Sequence, residues 1–249
     1  MFKSKILVGC VLQLYILFVF FEVIGEYTIA FHLDGLIIPL ITFIYLIFIK
    51  RKSKLFLLFL IFYSVSDLMG IATSNLLYYN LPYSNKENLI YYAYDYYIDT
   101  ALYILAYFFL FVKIAQTLPI GYIFKHFKIH LLVLITLNIY LVYVLQIIVE
   151  PYVEFQYEYV FEFTYNVITL MVLMVALLNF IYKDNKKALY LFIGSLCLVF
   201  SEFMDIAYIY IVQKSLLNIL GTTFGVVAFY FFYQQSKILN EKNYLAVSS

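Results

Sequence analysis

The chain has no tryptophan, only two cysteines, and charge on just 12% of its residues. The shortage of charge restricts the reading most. A soluble domain carries about 25% charged and roughly 45–50% apolar residues, whereas here 65% are hydrophobic and mean hydropathy is +0.93. A surface that apolar aggregates in water, so lipid is the implied solvent for most of the chain. A net charge of +1 excludes the basic footprint a nucleic-acid partner requires. Cys10 and Cys197 both lie inside apolar runs and read as small core residues, with no disulfide or metal pair and no statement about redox compartment. Without Trp, the 28 tyrosines must supply the interfacial belt.

What is present is a series of apolar runs. A spanning helix needs about 20 apolar residues, so this length has room for about eight spans with short loops. Eight runs can be drawn, over residues 6–24, 36–49, 55–78, 98–111, 131–149, 163–181, 189–211 and 217–233. The second and fourth are short, with weakly polar flanks at 32–35 and 91–97 through which they can extend. The first follows Lys3 and Lys5, but it is longer than the apolar region of a signal peptide and has no clean cleavage site, so it reads as an uncleaved span. The expected fold class is all-α: a polytopic integral membrane protein, one eight-helix transmembrane domain over residues 1–249.

The basic residues orient this array. Alternate connections carry Lys3 and Lys5; Lys50, Arg51, Lys52 and Lys54; Lys113, Lys125 and Lys128; Lys183, Lys186 and Lys187; and Lys237 and Lys242. Only Lys86 and Lys214 fall on the other side. The positive-inside rule then places both termini in the cytoplasm. The outer side is acidic, with Glu150, Glu154, Glu158 and Glu162 around the fifth connection. They read either as a solvated loop or as a vestibule favouring cations.

Charges inside spans cost roughly 2.5–3.5 kcal/mol each on insertion scales and usually face a cavity or the bundle interior. Asp67 follows Lys54, Glu202 follows Lys187 and Asp99 precedes Lys113, each by 13 to 15 residues. At 1.5 Å per residue, all three stand about 20 Å from the cytoplasmic edge. Asp205 is one turn from Glu202 on the same face. A matched layer of carboxylates implies one polar cavity able to hold and pass protons, the requirement of general acid–base chemistry. The competing reading is structural, with carboxyls bonded to Tyr hydroxyls between helices. Glu22 and Glu26 end the first span and are expected at the outer interface. No HExxH, GxSxG or P-loop pattern occurs. His126 and His130 read as interfacial beside basic residues, and His32 stands alone.

Several segments resemble the YhhN family, eight-span membrane proteins that hydrolyse the vinyl ether of lysoplasmalogens. Leu36–Ile37–Ile38–Pro39–Leu40 is similar to its KPLxxPLL segment. Phe62–Tyr63–Ser64–Val65–Ser66–Asp67 is similar to its SxxGD, with Ser66 at the Gly position. Leu102–Tyr103–Ile104–Leu105–Ala106 resembles HLLYILAF, and Tyr165, Met171, Ala176 and Leu177 follow the spacing of the sixth span. The stretch from Gly194 to Glu202 resembles GALLFVLSD, and Tyr230–Phe231–Phe232–Tyr233–Gln234 resembles YYLAQ. Three positions depart: Glu202 stands for an Asp, Asp34–Gly35 for Lys-Pro, and Thr100 for a His beside Asp99.

The resemblance implies an intramembrane lysoplasmalogenase-like hydrolase in which Asp67 and Glu202 are the catalytic carboxylates. One would protonate the alkene carbon and the other would activate water, as in two-carboxylate glycoside hydrolysis. Asp99, Thr100, Tyr103, Tyr165 and Asp205 are the expected substrate-binding residues. The expected partner is a lysophospholipid or other amphiphile, with no metal, cofactor or nucleic acid, and the expected location is a bacterial inner (cytoplasmic) membrane. The alternatives are a carrier using the same carboxylates as a proton relay, and a diverged homologue that binds lipid without catalysis. Against the carrier, no internal repeat and no Gly/Pro-broken helix pair is visible.

Overall fold

A computed structural model describes residues 2–49, 52–80 and 88–238. Lys50, Arg51, Lys86 and Lys242 of the basic tally lie outside these residues. Among the described residues there are nine α-helices and no strand: α1 Phe2–Ile24, α2 Tyr27–Phe48, α3 Lys54–Asn80, α4 Leu89–Ala115, α5 Ile120–His126, α6 Lys128–Val149, α7 Glu158–Lys183, α8 Lys186–Ile206 and α9 Ser215–Lys237. Seven of them, α2, α3, α4, α6, α7, α8 and α9, are long and apolar enough to cross a membrane. In α1 the described apolar stretch is Val8–Ile24, shorter than those seven.

The helices exceed the apolar runs because flanking tyrosines and isolated polar residues cost little in a helix with internally satisfied backbone bonds. Thus α2 begins at Tyr27, well before position 36, and takes in His32 and Asp34. Likewise α4 begins at Leu89, upstream of the 91–97 flank. The short α5 was not foreseen. It lies at the end where Tyr122 meets Tyr182 of α7, ring centroids 5.5 Å apart. The α1–α2 turn uses Gly25 at φ +87°, a left-handed conformation that glycine adopts without penalty. Asn185 caps α8, its side-chain oxygen accepting from the Ala188 N–H at 2.9 Å. A π-helical turn, Ala207–Ile211, extends α8 just beyond Asp205.

Neighbours in sequence pack together, and α4 passes over α5 and α6 to pack on α7, while α2 reaches α9. The core between α2, α3, α4, α8 and α9 is aromatic. The Phe59 and Phe229 rings stack at 5.7 Å, and Phe232 meets Phe56, Phe59 and Phe229 edge-on. Outward faces are apolar and uncovered, as along Ile129, Leu132, Ile139 and Tyr143 of α6. In water such a face would be unstable, and in hydrocarbon it is matched to its solvent.

Small residues set the closest approach, between α8 and α9. Gly221 and Gly225 form a GxxxG pair on α9, the spacing that lets two backbones come close in lipid. Gly194 of α8 sits directly against Phe232: a Cβ there would stand 2.7 Å from the ring. At the end where α4 and α9 finish, Lys113 Nζ lies 4.0 Å from the Phe56 ring centre and donates to Gln235 Oε1 at 3.3 Å.

Candidate functional site

The polar residues of α2, α3, α4, α8 and α9 meet around a cavity of about 130 Å³. Space of this size holds several waters or a head group of a few heavy atoms, well short of the roughly 300–1,000 Å³ of drug-sized pockets. Its walls include Asp34, Gly35, Ile37 and Ile38 from α2, Tyr63 and Asp67 from α3, Tyr103 from α4, Ser201 and Asp205 from α8, and Thr222, Gly225 and Val226 from α9.

Each wall is held by a specific contact. The Tyr103 hydroxyl donates to Asp67 Oδ1 at 2.6 Å. The Thr222 hydroxyl donates to Asp34 Oδ1 at 3.0 Å and so ties α9 to α2. Ser201 Oγ donates to the Gly221 carbonyl at 2.7 Å, tying α8 to α9. Asp205 lies against Gly221 so closely that any Cβ at that position would collide with its carboxylate. Its carboxylate makes no hydrogen bond among the described residues. Gly35 allows α2 to approach α3, where a Cβ would meet Ile71 Cδ1 at 2.9 Å. Four residues later Pro39 has no N–H to give, so the Gly35 carbonyl lacks its usual helical donor.

Behind Tyr63 and Tyr103 stands a tyrosine cluster. Tyr63 and Tyr103 meet at 4.9 Å, Tyr103 and Tyr165 at 6.4 Å, and Tyr107 and Tyr165 at 5.5 Å between ring centres. The hydroxyls of Tyr107 and Tyr165 each donate to one carboxylate oxygen of Glu202, which is buried.

The expected site residues therefore divide. Asp67, Tyr103 and Asp205 line the cavity. Glu202 and Tyr165 belong to the tyrosine cluster beside it, with both Glu202 oxygens engaged. Asp99 is bonded through Oδ1 to the hydroxyl of Ser66, a residue with no exposed surface, and Thr100 follows it on α4; neither lines the cavity. Four polar lining residues were not foreseen as site residues: Asp34, Tyr63, Ser201 and Thr222. Asp34 was placed in the flank of a run starting at position 36. Carrying the span through residues 32–35 would have made it one more intramembrane carboxylate. Thr222 carries no sequence signal beyond its place between the two glycines of α9.

Other expectations change with the structure. Glu22 is 1% exposed with Oε1 unpartnered, so it is a buried group and not an interfacial one, whereas Glu26 is exposed. Packing of α1 against α2 and α9 covers Glu22. Cys10 is exposed on α1 and not a core residue, while Cys197 is half-buried. Of the outer glutamates, Glu150 and Glu154 are exposed. Glu158 accepts from the N–H groups of Glu154 and Phe155 at 2.7 and 3.0 Å, and Glu162 accepts from Tyr96 at 2.8 Å. Those two are buried and held by hydrogen bonds, and neither lines the cavity. His126 stacks on Tyr122 at 4.1 Å, and His32 Nε2 accepts from Asn75 Nδ2 at 2.9 Å. Among the described residues no group of three His, Cys, Asp or Glu side chains is arranged to hold a metal ion.

The cavity thus presents carboxylates at a position enclosed by helices with apolar outer faces. Such an arrangement can bind a polar group, move protons and stabilise positive charge. No family model, no curated protein and no solved structure matches the chain, so the likeness to the YhhN family rests on its motifs alone.

Proposed function

We propose that this chain spans the membrane eight times with both ends on the cytoplasmic side, and that it hydrolyses an ether-linked single-chain lipid in its cavity. The eighth span is α1, a 23-residue helix packed on α2, and its inclusion keeps all basic residues but Lys86 and Lys214 on one side. The observation that carries the chemical reading is the partly open cavity lined by Asp34, Asp67 and Asp205. Packing does not require three carboxylates around open space, and each is costly at this depth.

The resemblance supplies the reaction and the geometry supplies the roles. Asp205, free of hydrogen bonds, is the carboxylic acid. Its proton goes to the alkene carbon remote from the ether oxygen, where a C–H bond forms from the π pair and leaves an oxocarbenium ion. The surrounding carboxylates stabilise that cation, a contribution that preorganised charge makes best away from bulk water. Asp67, oriented by Tyr103, takes a proton from the attacking water as the new C–O bond forms. The hemiacetal then collapses: its hydroxyl proton returns to Asp205, Asp67 protonates the leaving oxygen, and a fatty aldehyde and an alcohol result. In this scheme Glu202 orients Tyr107 and Tyr165 and does not touch substrate.

The test is aldehyde release from alkenyl glycerolipids by purified protein. Asp67→Asn is nearly isosteric but cannot accept the proton. Its release should fall at least 100-fold, the low end of a general acid–base contribution, with the melting temperature within a few degrees of the parent. Full activity in this variant removes Asp67 from the mechanism.

One observation favours a second reading, a proton-coupled carrier. Buried Glu22 lies near Asp34 and adds a further carboxyl to the group, outside the cavity lining. Proton flux into proteoliposomes dependent on an added solute, lost in Glu22→Gln, would support it over hydrolysis.

A further inference from the structure

The cavity contains many acceptors and few free donors. The Thr222 hydroxyl is spent on Asp34, that of Tyr103 on Asp67, and that of Ser201 on the Gly221 carbonyl. Asp205 has no donor at all among the described residues, and Pro39 leaves the Gly35 carbonyl without its helical N–H. Only the Tyr63 hydroxyl and the acid proton of Asp205 are left to donate among the described residues. Among the described residues, none that lines the cavity is Lys, Arg or His. The buried Lys113 is turned onto Phe56 and Gln235 at one end of the bundle and does not line the cavity.

We infer that the group seated in the cavity carries no phosphate, and that it is an uncharged polyol whose hydroxyls donate to Asp34, Asp67 and Asp205. This rests on the hydrolase reading and names its substrate class: a single-chain alkenyl ether of glycerol, not a lysophospholipid. A phosphate would bring four acceptors and negative charge to a wall of carboxylates, and like charges at close range in a low-dielectric site repel strongly. It would find only two donors, the Tyr63 hydroxyl and the Asp205 proton, and the second is needed for the alkene carbon. A glycerol head brings hydroxyl protons to unpaired acceptors, and unmade hydrogen bonds on buried polar groups are costly. An ammonium head would satisfy the carboxylates too, but it would hold them ionised and leave no acid to protonate the alkene. Size agrees, because about 130 Å³ suits a three-carbon polyol better than a phosphocholine group.

The experiment uses the full-length protein in lipid nanodiscs and three amphiphiles with one common chain: a 1-alkenylglycerol, its phosphocholine derivative and a primary alkylamine. The alkenylglycerol should show a kcat/KM at least tenfold above that of the phosphocholine compound, and the amine should inhibit more weakly than 1-alkylglycerol. Equal or better turnover of the phosphocholine compound, or tighter binding of the amine, overturns the inference. Thermal shift with the non-hydrolysable 1-alkylglycerol and its phosphocholine counterpart separates the two readings. Tenfold tighter binding of the alkylglycerol without any turnover removes the hydrolase and leaves the head-group class standing. Turnover that prefers the phosphocholine compound does the reverse, and no binding by either compound overturns the inference. In Asp34→Asn an amide N–H replaces charge near Thr222, so discrimination against phosphate should shrink severalfold. An unchanged ratio in a folded variant contradicts the role given to Asp34, while the ranking in the unaltered protein stands independently of any variant.

Discussion

Adding one methyl group at Gly194 tests the helix contact on which the cavity depends. An alanine Cβ there would lie 2.7 Å from both Cδ1 and Cε1 of Phe232 and 3.2 Å from the Ala228 carbonyl. Phe232 has no exposed surface and is enclosed by Phe56, Phe59 and Phe229 at 5.8 to 6.0 Å, so its ring has nowhere to move. With no room for the ring to yield, overpacking costs the upper part of its usual range, about 2–3 kcal/mol, against which alanine returns about 0.8–1.0 kcal/mol of helix propensity. The net loss is roughly 1–2 kcal/mol, which for a chain of this size lowers the melting temperature by about 2–8 °C. Gly70→Ala is the control. It lies within α3, where the nearest neighbour of a new Cβ is Phe31 Cζ at 3.9 Å, an ordinary contact. Without a clash only the propensity gain of about 0.5–1 kcal/mol is left, and melting should rise by a few degrees. Thermal unfolding in one detergent reads both variants. If Gly194→Ala melts at or above the parent while Gly70→Ala behaves as stated, α8 and α9 do not approach as described, and the placement of Asp205 against Gly221 falls with them.

Glu202→Gln replaces one of two acceptor oxygens by an NH₂ group facing a tyrosine hydroxyl. It should destabilise by about 1–3 kcal/mol in thermal unfolding and keep measurable aldehyde release; abolished release in a folded variant would return Glu202 to the chemistry. Single cysteines at Glu154 and Lys214, in a background with Cys10 and Cys197 replaced by Ser, should react with an impermeant thiol reagent from outside intact cells. Cysteines at Lys125 and Lys186 should react only after permeabilisation, and labelling of Lys125 and Lys186 from opposite sides would refute the eight-span topology. Tyr103→Phe keeps the ring against Tyr63 but removes the donor to Asp67, so kcat should fall while the melting temperature drops by only a few degrees; unchanged kcat would separate Tyr103 from the reaction.

Composition and spacing were enough to establish a helical membrane protein. Transfer to lipid is close to a sum over residues, so 65% hydrophobic and 12% charged residues decide the solvent without knowledge of any contact. Depth was legible for the same reason, since it is linear in sequence at 1.5 Å per residue, and it put Asp67, Asp99 and Glu202 in one layer. Rotation about each helix axis was not legible, because it depends on how helices pack. Glycines at 35, 194, 221 and 225 let α2, α3, α8 and α9 close together, and those contacts turn Asp34, Asp67 and Asp205 inward to one space. The same packing turns Glu202 toward the hydroxyls of Tyr107 and Tyr165, one turn of helix away from Asp205 yet outside the cavity lining. The sequence by itself determined the solvent and the helical class of the chain. Only tertiary packing decided which of the carboxylates share a cavity, because the azimuth of a side chain is a property of helix pairs and not of any single run of residues.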